Sequence, residues 1–215
     1  MVDKKSKVQR GRPVDPQRRR ARRRALADSA FSLFLDRGLE PVTIDQIVDA
    51  AGLSKGTFYH HFDNKEALLR WVYEPLALQI EQAFTDLGDS LATGRDRLAV
   101  RAAYELFAAR MGVAALRDPL ASRLFLQERR GPAVGARRPI SELATSIEAH
   151  AVRTSELAAE RGLLRHDPAI VGHAVIGAIE NVLHAQVTGR LSRDVGEVVA
   201  QMTQLVLDGL LGIGG

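Results

Sequence analysis

The chain has no cysteine among its 215 residues. Disulfides, thiolate metal sites and cysteine nucleophiles are excluded, and a reducing cytoplasm is the expected compartment. Aromatic residues are scarce at 5%, with a single Trp. No run of 18 apolar residues occurs. The most apolar segment, 169–183, is broken by His173, Glu180 and Asn181, so no membrane span is expected. The first residues are charged with no apolar stretch behind them, so no secretory signal is expected. A Gly-rich phosphate loop, a G-x-S-x-G elbow and an H-E-x-x-H pair are all missing. The expectation is therefore a protein that is not an enzyme and holds no metal or cofactor.

What is present is enough apolar matter for a sizeable core, 46% of residues, and an uneven charge. Residues 1–24 hold eleven Lys and Arg against two Asp, a net +9. The chain's formal charge is only +4, so the other 191 residues carry −5. A basic end on a mildly acidic body points to a polyanionic partner at one end. Residues 1–14 read as a disordered basic arm. Within it Arg10-Gly11-Arg12-Pro13 matches the core of an AT-hook, in which Arg10 and Arg12 would lie in a narrow A·T-rich minor groove. A plain solubilising arm is the competing reading.

From Asp15-Pro16 onward the pattern is helical, with no strand-like alternation. Asp15 caps and Pro16 opens the first helix, which runs to about Asp36 before Gly38. Its apolar stripe is Leu26, Ala27, Ala30, Phe31, Phe34 and Leu35. Arg18–Arg20 and Arg22–Arg24 crowd its first turns, a repulsion that phosphates would relieve. Thr43 and Gln46 form a capping box for a short second helix carrying Ile44, Ile47, Val48 and Ala51. Gly52 suits a left-handed turn. Ser54 caps a third helix with Phe58 and Phe62 on one face and Lys55, Thr57, Tyr59, His60 and His61 free to face outward. Two helices joined by so tight a turn form a helix-turn-helix, whose second helix enters the DNA major groove.

The following helix begins at Asn64, is expected to kink or break at Pro75, and ends near Gly88. Further helices are expected at about 95–112, 119–129 and 139–161. A loose basic Gly/Pro loop, 129–139, lies between the last two of these. The final pair, helix 8 from Asp167-Pro168 to about Thr188 and helix 9 at about 194–211, carries the most apolar surface. Helix 8 is apolar almost all round, which implies cover on more than one side. Helix 9 shows a stripe of Val195, Val198, Val199, Met202, Leu205, Val206 and Leu210, with Leu207 off it.

Phe34-x-x-x-Gly38, Val42-Thr43, Ala50-Ala51-Gly52-Leu53-Ser54, Gly56-Thr57-Phe58-Tyr59-x-His61-Phe62 and Asn64-Lys65-Glu66-Ala67-Leu68-Leu69 together closely resemble the DNA-binding domain of TetR-family bacterial transcriptional regulators. The resemblance covers about a quarter of the chain. It implies an all-α fold of about nine helices: an N-terminal three-helix head (15–65) and a C-terminal effector-binding and dimerisation body (66–215). It implies Lys55, Gly56, Thr57, Tyr59 and His60 near base edges. Thr43, Ser54, Tyr59, His61 and Lys65 suit phosphates. His60 departs from the aromatic residue, often Tyr, usual there, which puts base preference at that position in doubt.

It further implies a homodimer through helices 8 and 9, bound to a near-palindromic operator in double-stranded DNA and usually repressing. A small, largely apolar effector would release it. Pocket candidates are Tyr104, Phe107, Phe125, His150, His173, Glu180 and His184. The helix 8 trio, His173, Glu180 and His184, could instead hydrogen-bond in the core or interface, or bind a metal. Two other classes stay open: an architectural, largely non-specific DNA-binding protein using the arm, and a ligand-binding or enzymatic helical domain whose head no longer binds DNA.

Overall fold

The computed structural model describes residues 15–94 and 96–209; the basic arm with Arg10 and Arg12, and the tail with Leu210, lie outside them. Among the described residues nine α-helices and no strand occur. They are α1 (Pro16–Arg37), α2 (Ile44–Ala50), α3 (Lys55–His61), α4 (Lys65–Thr93), α5 (Arg97–Leu116), α6 (Pro119–Glu128), α7 (Arg138–Glu160), α8 (Pro168–Val187) and α9 (Val195–Gly209). Local chemistry sets most of the starts. The side chains of Asp15, Thr43, Ser54, Asn64, Asp96, Asp118 and Asp167 each accept a backbone N–H of the first turn they cap. Asp-Pro pairs open α1, α6 and α8, as read from sequence.

The three-helix head is held by Leu26, Ala27, Ala30, Phe31 and Phe34 of α1 against Ile47, Val48, Phe58 and Phe62. Gly52 turns the chain between α2 and α3 at φ +63°, a conformation that costs a side chain about 1–2 kcal/mol. The head does not stop at α4. Leu68, Leu69 and Tyr73 join its core, which continues without a gap into Leu124, Phe125, Ile140 and Leu143 of α6 and α7. A second, smaller cluster (Leu87, Leu91, Val100, Ala158, Val171, Leu207) lies toward the far end of the body.

Four expectations are corrected or narrowed. First, α4 does not break at Pro75, the alternative to a kink there, and does not end at Gly88. Proline removes one hydrogen bond, but Tyr73 before it and Ile80, Ala83 and Phe84 after it are buried, so packing holds the helix on both sides. Leu91 is buried beyond Gly88, and the helix ends at Gly94, where Arg161 donates to the Ala92 carbonyl (2.7 Å) and to that of Gly94.

Second, the basic Gly/Pro loop is tied down. Arg137 pairs with the buried Glu128 (2.8 Å), and Arg129, itself buried, reaches Glu148 and Glu180.

Third, among the described residues this chain alone covers α8 only in part, so the cover expected on its outer side does not come from those residues. The helix buries Val171, Gly172 and Ile176 and leaves Ile170 69% exposed. α8 is long and apolar enough by composition to cross a membrane, yet here it packs on α7 and α6. Gly172 is needed inside the chain: a Cβ there would sit 2.9 Å from the Val152 backbone of α7.

Fourth, Leu207, off the sequence stripe of α9, is its buried residue, whereas Leu205, on it, is 61% exposed. α9 lies against α5, and that contact selects the buried face.

Candidate nucleic-acid interface and internal cavity

The outward face of the head is built from caps and polar tips. Thr43 Oγ1 accepts from Gln46 N–H (3.3 Å) while the Gln46 side chain accepts from Thr43 N–H (2.9 Å), completing the box. Ser54 Oγ accepts from Thr57 N–H (3.2 Å) and lies 2.9 Å from Thr57 Oγ1. Thr43, Ser54, Lys55, Gly56, Tyr59 and His60 are exposed, and Thr57 is partly so. Tyr59, half exposed, packs edge-on to Phe58 and projects past it. The Lys55 ammonium rests against both carboxylate oxygens of Asp45 (2.9 and 3.0 Å), which raises its pKa through hydrogen bonding and charge. That exposed pair is weak enough for DNA to displace. Among the described residues a Cβ on Gly56 would meet only Ser54 Oγ, at 3.8 Å, so none of them requires glycine there. Glycine in a helix costs about 1 kcal/mol relative to alanine; close approach by an external surface would explain it.

Two expected contacts do not face outward. His61 is buried, and neither ring nitrogen has a hydrogen-bond partner among the described residues. Burial, and then the nearby charges of His60, Arg19, Arg23 and Arg22, hold its pKa below the ordinary 6.5. The signal was in the spacing: His61 stands three residues after Phe58 and belongs to the same buried face. Lys65 donates to the carbonyls of Leu39 (2.5 Å), Glu40 (3.1 Å) and Val42 (2.8 Å), and so ties the α1–α2 turn instead of reaching for phosphate. Desolvation lowers its pKa.

The basic run on α1 divides in two. Arg18, Arg19, Arg20 and Arg22 are exposed. The Arg23 guanidinium lies over the adjoining rings of Phe62 (4.9 Å) and Trp71 (4.8 Å), whose centroids are 5.7 Å apart. Arg24 pairs with Asp28 (2.7 Å) and with Asp118 (2.6 Å), the N-cap of α6, and so joins head to body.

The body holds a partly open cavity of about 240 Å³ among α4 to α9. Tyr104, Phe107, Phe125 and Glu180 line it, as expected, together with Ile80, Phe84, Met111, Ile147, Val199 and Met202. Burial pushes the Tyr104 phenol up to about 12. Three candidates are elsewhere. His150 stacks on Phe84 (5.2 Å between centroids, planes 14° apart) and is not part of the wall. His184 Nδ1 is 2.6 Å from an Arg190 guanidinium nitrogen. His173 lies in a separate polar cleft with Arg129, Arg130 and Glu148. Sequence reasoning missed Arg129 altogether, because a Gly/Pro-rich neighbourhood gives no sign of a buried cation.

A compact helix-turn-helix unit joined to a hollow helical body is the form of a helix-turn-helix regulator. Residues 26–72 match the family described as bacterial regulatory proteins, tetR family. The repressor KstR2 of Rhodococcus jostii is 34% identical over 120 residues, covering 54% of this chain and 57% of that relative. The chain thus matches little more than half the length of that curated relative. Among solved structures, NalD of Pseudomonas aeruginosa, the secondary repressor of the MexAB-OprM multidrug efflux pump, superposes with a TM-score of 0.66 at 21% identity, over 90% of this chain and 98% of that one. The transcriptional regulator FadR of Bacillus subtilis, in complex with stearoyl-CoA, does so at 0.61 and 16% identity, over 87% and 98%. At these identities the structures speak for the fold alone. Family match, relatives and fold agree: residues 26–72 match the DNA-binding domain of TetR-family regulators, the fold of the described residues is that of such regulators, and the named relatives are regulators, not enzymes.

Proposed function

We propose that this chain is a cytoplasmic one-component repressor. It binds a near-palindromic operator as a homodimer and leaves it when a largely apolar small molecule fills the body cavity. The observation that carries this reading is α6. At its start Asp118 holds Arg24 of α1; along its length Ser122, Phe125 and Leu126 line the cavity; just past its end Arg129 holds Glu180 of α8. The helix and its two caps thus touch head, cavity wall and body, so cavity occupancy and head position share one element. An effector would act by binding more tightly to the arrangement of heads that does not fit DNA. The KstR2 relative is named a repressor, and the FadR neighbour is in complex with stearoyl-CoA, a molecule with a long apolar part.

For the dimer, the support is the outward face of α8, with exposed Ile170, Ala174, Ala178 and Asn181, and the exposed Leu205 of α9. Small residues there would let a second copy approach closely. Two heads would then meet major grooves about 34 Å apart, or a multiple of that. Thr43, Ser54 and the exposed arginines of α1 would hold phosphates; Lys55, Thr57, Tyr59 and His60 would face base edges. Arg10 and Arg12 would add minor-groove contacts from the arm.

Genome-wide mapping of bound DNA, followed by competition against random duplex, tests this. A repressor of this kind prefers its operator by about 10³ or more. A preference below about tenfold would favour the architectural, non-specific reading instead.

A further inference from the structure

The cavity is largely apolar, its neutral polar lining being Tyr104, Ser122, Thr154, Ser155, Gln186 and Thr203. Glu180 is the only carboxylate among its lining residues. That carboxylate is paired with the Arg129 guanidinium, whose side chain is only 7% exposed. On its other side Arg129 lines a polar cleft of about 370 Å³ with Arg130, Glu148, His173, Ile176 and Gly177. Ile176 lines both spaces. Cavity and cleft are therefore divided by a thin partition, made of Ile176 and one ion pair.

An ion pair is a poor wall for a purely apolar ligand, because burying it costs desolvation on both sides. It is a good exchangeable one. Arginine cannot give up its proton at any working pH, so Arg129 needs an anion in this dry setting. Glu180 can be neutralised, because a carboxyl group is able to take a proton when desolvated.

We propose that Arg129 is the head-group site of an amphiphilic anion: its apolar body fills the cavity, and its carboxylate or phosphate displaces Glu180 from Arg129, with Arg130 and His173 beside it on the cleft side. The inference rests on reading the cavity as the effector site. The exchange is balanced. One anion replaces another on the guanidinium, and Glu180, left against an apolar wall, takes one proton from solvent. Burial already raises the Glu180 pKa, with Arg129 opposing the shift. The charged or titratable groups around it are Arg129 and Arg130 after α6, Glu148 on α7, and His173 on α8. α5 and α9 face the cavity with Tyr104 as their only titratable group.

The test is titration calorimetry on the full chain with dodecanoate, dodecyl phosphate and 1-dodecanol, each below its aggregation concentration. Each titration is run in two buffers of different ionisation heat. Both anions should bind at least about tenfold more tightly than the alcohol, the worth of one buried charged hydrogen bond. Binding should take up close to one proton per anion. Either order between the two anions supports the site and tells which head it accepts. The double variant Arg129→Gln/Glu180→Gln removes both charges together and leaves neither partner of the pair buried alone. It should melt within a few degrees of wild type, bind the alcohol as before and lose the preference for anions. Alcohol binding as tight as that of the anions, or a preference that survives in the double variant, overturns the head-group site and leaves the cavity reading intact. Failure of all three to bind overturns both.

Discussion

The head and the body are built from the same kind of helices, yet they pack differently. In the head, Phe31, Phe34 and Phe58 are fully buried and no lining residue of the cavity comes from it. In the body, Phe125 is 8% exposed, Phe107 is only partly buried, and six helices surround a void. A filled core holds one arrangement of side chains, because every displacement loses contacts. A hollow one tolerates several arrangements at small cost. A head that must present six side chains in register to a rigid duplex needs the first. A body that would respond to an occupant needs the second. Their junction is a shared core across α1, α4, α6 and α7 reinforced by the Arg24–Asp118 pair, so movement in the body has a direct mechanical path to the head.

The comparison can be broken by experiment. The largest effect is expected from Phe58→Ala, which empties a filled site and should cost about 3–5 kcal/mol of unfolding free energy. The same change at Phe125 enlarges an existing void and should cost clearly less. Chemical denaturation of both variants decides, and equal losses would erase the distinction between head and body.

Next comes Gly172→Ala. With Val152 backbone 2.9 Å from the new Cβ, α7 and α8 must separate, at about 1–3 kcal/mol. A variant as stable as wild type would mean that even this body contact is loose.

On the outer face of the head, Tyr59→Ala should weaken operator binding about tenfold or more while unfolding free energy stays within about 0.5 kcal/mol. His61→Gln and Lys65→Gln should instead act mainly on stability, because both side chains are engaged inside the chain. Gel-shift titrations beside melting curves separate the two groups.

The smallest effect is in pH. The His61 pKa is lowered in the folded head, so the unfolded chain takes the proton first. Its contribution to stability is whole above the ordinary value near 6.5 and is lost as pH falls below that and through the folded pKa. Melting temperature should fall more steeply with acid in wild type than in His61→Gln, and matching slopes would show that His61 does not titrate with unfolding.

Legibility followed the same division. The helix starts were readable because capping is local: Asp15, Thr43, Ser54, Asn64, Asp118 and Asp167 each satisfy N–H groups two or three residues away. The exposed face of α3 was readable as well, since its spacing relative to Phe58 and Phe62 defines outside and inside. His61 was misplaced only because a polar residue type outweighed that spacing. Lys65 was misplaced because its partners lie 23 to 26 residues upstream, beyond the reach of any local pattern. The body was harder. Its stripes show that a helix has an apolar face, and nothing about which neighbour covers that face.

Residue order by itself determined the number of helices, their starts, the head's core and the polar face it turns outward, because hydrogen-bond satisfaction and helical periodicity act within a turn or two of chain. Only the tertiary structure decided that α4 runs unbroken through Pro75, that Leu207 rather than Leu205 is buried, and that Arg129 meets Glu180 across 51 residues. Those outcomes depend on what packs against what, and long-range burial overrides a local preference whenever the contacts it gains exceed the single hydrogen bond or rotamer it gives up.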